Sequence, residues 1–121
     1  MTYWWRVWSY DGRWTFWFYA LDESRAREVA NALNVLGVYA GRGRMKFSVQ
    51  RGPARPSKPN PGPPWVSVFA TRERQMLTYG YAQNWVDAAT VRDALARTNA
   101  RRMAQYLAQE QAPGGRIAAY G

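Results

Sequence analysis

The sequence predicts an α+β fold: a single small domain in which an antiparallel sheet, opened by an N-terminal aromatic hairpin, carries two helices in the order ββαββ-link-ββα. Three observations predict it. Residues 1–20 hold five of the seven tryptophans, with three tyrosines and two phenylalanines, around an Asp11-Gly12 pair. Two stretches, 22–36 and 87–109, carry apolar stripes with the period of a helix packed on one side, the second interrupted at Thr98 and Asn99. At 121 residues, the chain is long enough for one real core and short for two. Within it, 1–50 reads as a ββαββ half, 51–64 as a Pro-rich basic link, and 65–121 as a ββα half with a C-terminal tail.

Asp-Gly is a preferred pair for a two-residue type I′ turn, which needs positive φ at both positions. A turn there sets Tyr10 opposite Arg13 and fixes every later pair. Opposed side chains share a face and successive residues alternate. One face then carries Trp5, Val7, Trp14, Phe16 and Phe18, an apolar set suited to a core. The other carries Trp4, Arg6, Trp8, Tyr10, Arg13, Trp17 and Tyr19, where arginines stand among rings.

Asp22 or Ser24 can cap the first helix, and Gly37 can end it. Ala26, Val29, Ala30, Leu33 and Leu36 form its apolar stripe, which needs a sheet to cover. Residues 38–40 and 44–50 read as strands around Gly41-Arg42-Gly43. Met45, Phe47 and Val49 alternate with Arg44, Lys46 and Ser48, the pattern of a half-buried strand. If this strand joins the hairpin's sheet, Arg44 and Lys46 fall on the side of Trp4, Trp17 and Tyr19.

Six prolines between 51 and 64 make an extended connection. Residues 65–70 and 75–81 read as a second hairpin. The long helix of 87–109, capped by Asn84 or Asp87, follows with a stripe of Val91, Leu95, Met103, Tyr106 and Leu107. The two ββα units echo one another in order, with no residue-level repeat visible in the sequence.

The formal net charge is +9, from 17 basic and 8 acidic residues, with a pI near 10.5. This balance favours polyanionic partners, nucleic acid foremost. Fifteen of the basic residues are arginine, which binds phosphate bidentately and stacks on flat rings. A GC-rich coding sequence produces the same bias.

The chain has no cysteine and no histidine, which excludes disulfides, thiolate chemistry, Cys/His zinc sites and imidazole catalysis. The start of the chain has no signal-peptide pattern and no apolar run reaches the ~20 residues of a membrane span. An intracellular location is expected, cytoplasmic or nucleoid-associated, or a place in a virion. Most of the eight carboxylates fall in expected turns, helix starts and exposed helix faces. No enzyme, metal or cofactor is expected.

The expected site is the aromatic–basic face. Trp4, Trp8, Trp17 and Tyr19 would stack bases; Arg6, Arg13, Arg42, Arg44 and Lys46 would contact phosphates, as single-stranded nucleic acid is commonly held. On this register Trp17→Ala should weaken binding without unfolding the chain. Gly41 to Arg44 also resembles a short RGG-like basic turn, a weak pattern that a plain hairpin turn explains better. The rival reading is an assembly protein of the viral or phage kind. Its aromatic face would be buried under the second ββα unit, a homo-oligomer mate or a host protein.

Overall fold

The α+β expectation holds, and the order of the strands explains why one sheet face lacks helices. The computed structural model describes residues 2–40, 43–57, 65–72 and 74–111. In chain order the elements are β1 (Tyr3–Tyr10), β2 (Trp14–Ala20), α1 (Glu23–Leu36), β3 (Tyr39–Ala40), β4 (Gly43–Arg44), β5 (Lys46–Ala54), β6 (Val66–Arg72), β7 (Gln75–Ala82) and α2 (Trp85–Gln111). Five strands form one antiparallel sheet in the order β5-β1-β2-β7-β6, and β3 pairs with β4 in a separate two-residue ladder.

Both helices pack on one side of the sheet. Ala26, Val29 and Leu33 of α1 and Ala88, Val91 and Leu95 of α2 share a single core cluster with Val7, Phe18, Phe47, Val68 and Tyr79. Full burial of a Val, Leu or Phe side chain stabilises by about 1.5–3 kcal/mol. The second ββα unit therefore extends the sheet sideways instead of lying over the first. Among the described residues the second unit does not cover the outer hairpin face, contrary to the sandwich arrangement considered for the rival reading.

The hairpin register differs from the sequence expectation. Tyr10 pairs with Trp14, so the loop is Asp11-Gly12-Arg13, three residues long, with Gly12 at φ 102. A three-residue loop with one left-handed residue is the next commonest hairpin closure after the two-residue turn. A bulge then shifts the ladder: Trp8 pairs with Phe16, but Val7 pairs with Phe18. Trp17 is the extra residue, and a bulge of this kind re-aims side chains.

The pairing registers reveal a correspondence between the two ββα units that the sequence hides. From the hairpin loop onward, residues sixty-two apart occupy equivalent places. Gly12 and Arg74 are the positive-φ loop residues. Trp17 and Tyr79 are the bulge residues, beside matching register shifts at Val7/Trp8 and Val68/Phe69. Asp22 accepts a hydrogen bond from Arg25 N, and Asn84 accepts one from Asp87 N. In the helix cores Ala26, Val29, Ala32 and Leu33 answer to Ala88, Val91, Ala94 and Leu95. The units meet through β2 and β7, paired Phe18 with Ala82, Tyr19 with Tyr81 and Ala20 with Gly80. An approximate two-fold axis thus passes between Tyr19 and Tyr81.

The units diverge after their helices. Gly37, at φ 73, ends α1 with its N–H donating to Leu33 O, and the chain returns as β5 along the free edge of β1. The strand reaches Ala54, further than expected, because an edge strand tolerates Pro53. The rest of the predicted Pro-rich link, residues 58–64, and the tail from residue 112 lie outside the described residues. So do the side chains of Met103, Tyr106 and Leu107.

Each sheet edge is tied to a helix by an asparagine. Asn34 of α1 donates to Phe47 O at 3.1 Å and accepts from Phe47 N at 2.9 Å, acting as a one-residue strand mimic on β5. Asn99 of α2 donates to Thr71 O of β6 at 3.3 Å.

Two stability outcomes follow from this packing. A Cβ at Gly80 would sit 1.9 Å from Tyr19 O, so Gly80→Ala should cost about 2–3 kcal/mol or more, the cost of overpacking. Asn34→Ala should cost about 1–2 kcal/mol by stripping partners from Phe47. Urea unfolding monitored by circular dichroism measures both; a loss below about 0.5 kcal/mol, ordinary for surface substitutions, would contradict either.

Candidate nucleic-acid interface

The face of the sheet opposite the helices carries two aromatic groups with different exposure. The first surrounds the approximate two-fold axis. Trp4 lies 5.4 Å from Tyr19 and 5.8 Å from Tyr81, centroid to centroid, and Trp65 lies 5.4 Å from Tyr19. Trp4 and Trp65 are themselves equivalent positions of the two units. Trp4 is 8% exposed and Tyr81 is equally enclosed. This quartet is a small core of its own, and Trp4, expected as a stacking residue, spends its ring inside it. Tyr19 is half-buried there.

The second group lies toward the hairpin loop. Trp8 packs against Phe16 at 5.4 Å, and Tyr10 against Trp14 at 4.9 Å. Tyr10 is 44% exposed and Trp14 60%. Between Trp8, Trp14, Ser48, Val49 and Gln50 runs an open groove of about 500 Å³. Register explains its composition: Trp8 pairs with Ser48 and Arg6 with Gln50, so these side chains share the outer face.

Trp17 is a correction. The loop length and the bulge turn it to the helix side, where its ring meets Phe47 at 5.4 Å. Its indole N–H donates to Ser9 Oγ at 2.8 Å, and Ser9 is 1% exposed. Trp14 and Phe16, expected in the core, take the outer face instead. The physical reason is pairing of donor and acceptor. An indole N–H turned toward the core needs a partner, and Ser9 is the hydroxyl that the inner row of β1 supplies.

Of the cations expected at the site, Arg6 and Lys46 reach the outer face. Arg6 donates to Arg51 O at 3.2 Å and lies 5.7 Å over the Trp8 ring, so it staples β1 to β5 from the outer side. Lys46 pairs with Tyr10 on the outer face and is exposed, as expected. Arg13 is exposed in the hairpin loop. Arg44 falls in β4, paired with Tyr39 and outside the five-stranded sheet. Arg42 lies outside the described residues.

No described strand contains an Asp or Glu. The acids concentrate on the helices, where Arg25–Asp22, Arg27–Glu23 and Arg97–Asp93 form ion pairs within one helix or its cap. Among the described residues, Arg6 and Lys46 have no carboxylate partner. Burial raises the Asp87 carboxyl above its ordinary value, opposed by a hydrogen bond from Asn84. Asp87 belongs to the start of α2, on the helix side.

Ser48, Gln50, Trp14, Phe16 and Trp65 escaped the sequence-level site. The alternation around Phe47 does place Ser48 and Gln50 on the face of Lys46, and that signal was available. Nothing local distinguishes a two-residue from a three-residue loop at Asp11-Gly12. Among the described residues no group of three His, Cys, Asp or Glu could hold a metal, and no helix is long and apolar enough to cross a membrane. Compared with protein-family models, curated proteins and solved structures, the chain matches none of them.

The corrected register reverses the expectation for Trp17. Trp17→Ala should now destabilise the fold by about 2–3 kcal/mol, less than a fully buried aromatic, because its half-buried ring packs on Phe47. Ser9→Ala should cost about 1–3 kcal/mol by orphaning the indole N–H. Trp14→Ala should change stability by under about 1 kcal/mol, since its ring is mainly exposed. Thermal and urea unfolding of the three variants measures the order; Trp14→Ala as the most damaging would refute it.

Proposed function

We propose that the chain is a non-catalytic nucleic-acid-binding protein that uses the outer sheet face, directed to single strands or to the sugar–phosphate backbone. One observation carries the reading: the face without helices joins accessible rings to cations and contains no acidic strand residue. Rings give bases a stacking surface worth about 1–3 kcal/mol per base, and cations hold phosphates. Trp8, Tyr10 and Trp14 supply the rings in this reading; Arg6, Arg13 and Lys46 supply the charge. The net charge of +9 adds long-range attraction for a polyanion.

Self-association is the second reading, favoured by Phe69 and Met76, which stand 48% and 67% exposed on the β6–β7 hairpin. Light scattering across a concentration series tests it directly: a monomer throughout would remove it.

Intrinsic tryptophan fluorescence, titrated with a single-stranded oligonucleotide, tests the leading reading. Three phosphate contacts predict a fall in affinity of roughly 20-fold between 50 and 200 mM salt. Absence of any fluorescence change at 50 mM salt, or affinity indifferent to salt, would refute it.

A further inference from the structure

The groove between Trp8 and Trp14 differs from the rest of the outer face. Its floor is the Trp8–Ser48 cross-strand pair of β1 and β5, and Trp14 of β2 stands beside it, mainly exposed. Gln50 and Ser48 bring an amide and a hydroxyl to the β5 side, both exposed. Lys46 and Arg6 flank it along the two strands, paired with Tyr10 and Gln50 respectively. Beside it, the indole N–H of Trp8 is enclosed and finds no acceptor among the described residues.

A flat, apolar-sided ligand with polar edges and a negative tail suits these walls. Its faces meet indole rings, its edge meets groups that both donate and accept, and its charge meets cations. The volume, about 500 Å³, falls within the range of about 300–1,000 Å³ typical of small-ligand sites. An unpaired nucleobase with its phosphate has this chemistry. A paired base does not, because its hydrogen-bonding edge is occupied and its faces are stacked.

We propose that the groove formed by Trp8, Trp14, Ser48 and Gln50 is a pocket for one unpaired nucleobase, held by stacking on the indoles and read at its edge by Gln50 and Ser48. The pocket rests on the nucleic-acid reading above and makes it specific: the protein selects single strands over duplexes through a base, not through the backbone. Gln50 can both donate and accept through its amide, so it accommodates more than one base. Lys46 and Arg6 act on the phosphates and contribute equally whether or not a base is present.

The experiment titrates the full chain at 50 mM salt with three ligands of equal length: a single strand (as DNA and as RNA), the matching duplex, and a single strand with abasic positions. Intrinsic fluorescence and anisotropy of a labelled strand report binding. The single strand should bind at least 10-fold more tightly than the abasic strand and the duplex. Trp14→Ala should abolish that difference, Gln50→Ala should reduce it, and Lys46→Ala should weaken all three ligands alike. Circular dichroism melts establish that each variant is folded, and the exposure of Trp14 makes this the expected state.

Equal binding of intact and abasic strands, or a preference that survives Trp14→Ala, would overturn the pocket and leave the nucleic-acid reading standing. Binding of no oligonucleotide would overturn both. Saturable binding of free mononucleotides with quenching that Trp14→Ala removes would support the pocket independently of strand length.

Discussion

The pairing of β2 with β7 is the contact on which the rest of the structure depends. Tyr19 and Tyr81 meet across it, with Phe18 and Ala20 opposite Ala82 and Gly80. Gly80 brings the two backbones close, since any Cβ there would strike the Tyr19 carbonyl. Because the units join edge to edge about this axis, their helices fall on the same side and pack into one core. The opposite side is left without helices for the same reason. A site on that side is a consequence of how the two units pair.

Loop length and bulges together decide what the open side presents. In each unit the second strand carries one extra aromatic residue, Trp17 or Tyr79, turned toward the helices and given a polar partner. Trp17 donates to Ser9, and Tyr79 donates to Glu28 of α1 at 2.9 Å. Each pair ties a large ring into the core at a fixed angle. The three-residue loop sets Tyr10 opposite Trp14 and Trp8 opposite Phe16, which places Trp14 and Phe16 on the outer face beside the groove; the bulge at Trp17 then brings Phe18 inward opposite Val7 and Tyr19 outward opposite Arg6. The two-fold quartet of Trp4, Tyr19, Trp65 and Tyr81 then supports the sheet centre while the hairpin end stays accessible.

Charge follows the same division. Asp22, Glu23 and Asp93 are matched by arginines of their own helix, mostly at i, i+4, where such pairs are short-range and largely solvated. The strands keep their cations without acidic neighbours in the same strand. Arg6 uses part of its guanidinium to hold β5, so on the outer face it is both a structural staple and a source of field.

The amino-acid sequence by itself determined the elements and their order. The caps Asp22 and Asn84, the stop at Gly37 and the apolar stripes of both helices are local signals, because they depend on neighbours within one or two turns. The alternation around Phe47 likewise placed Lys46 on the outer side without knowledge of its partner strand. Tertiary structure alone decided the hairpin register, the inward turn of Trp17 and the sideways joining of the units. Each depends on a partner distant in sequence or on a choice between loop closures of similar energy. Asp11-Gly12 suits a two- or a three-residue loop, and the core's need to pair the Trp17 indole with Ser9 and to seat Phe18 against Val7 selects between them. The repeat was hidden for the same physical reason. It is carried by small buried residues and by two bulges, which become visible as equivalents only when the strands are paired.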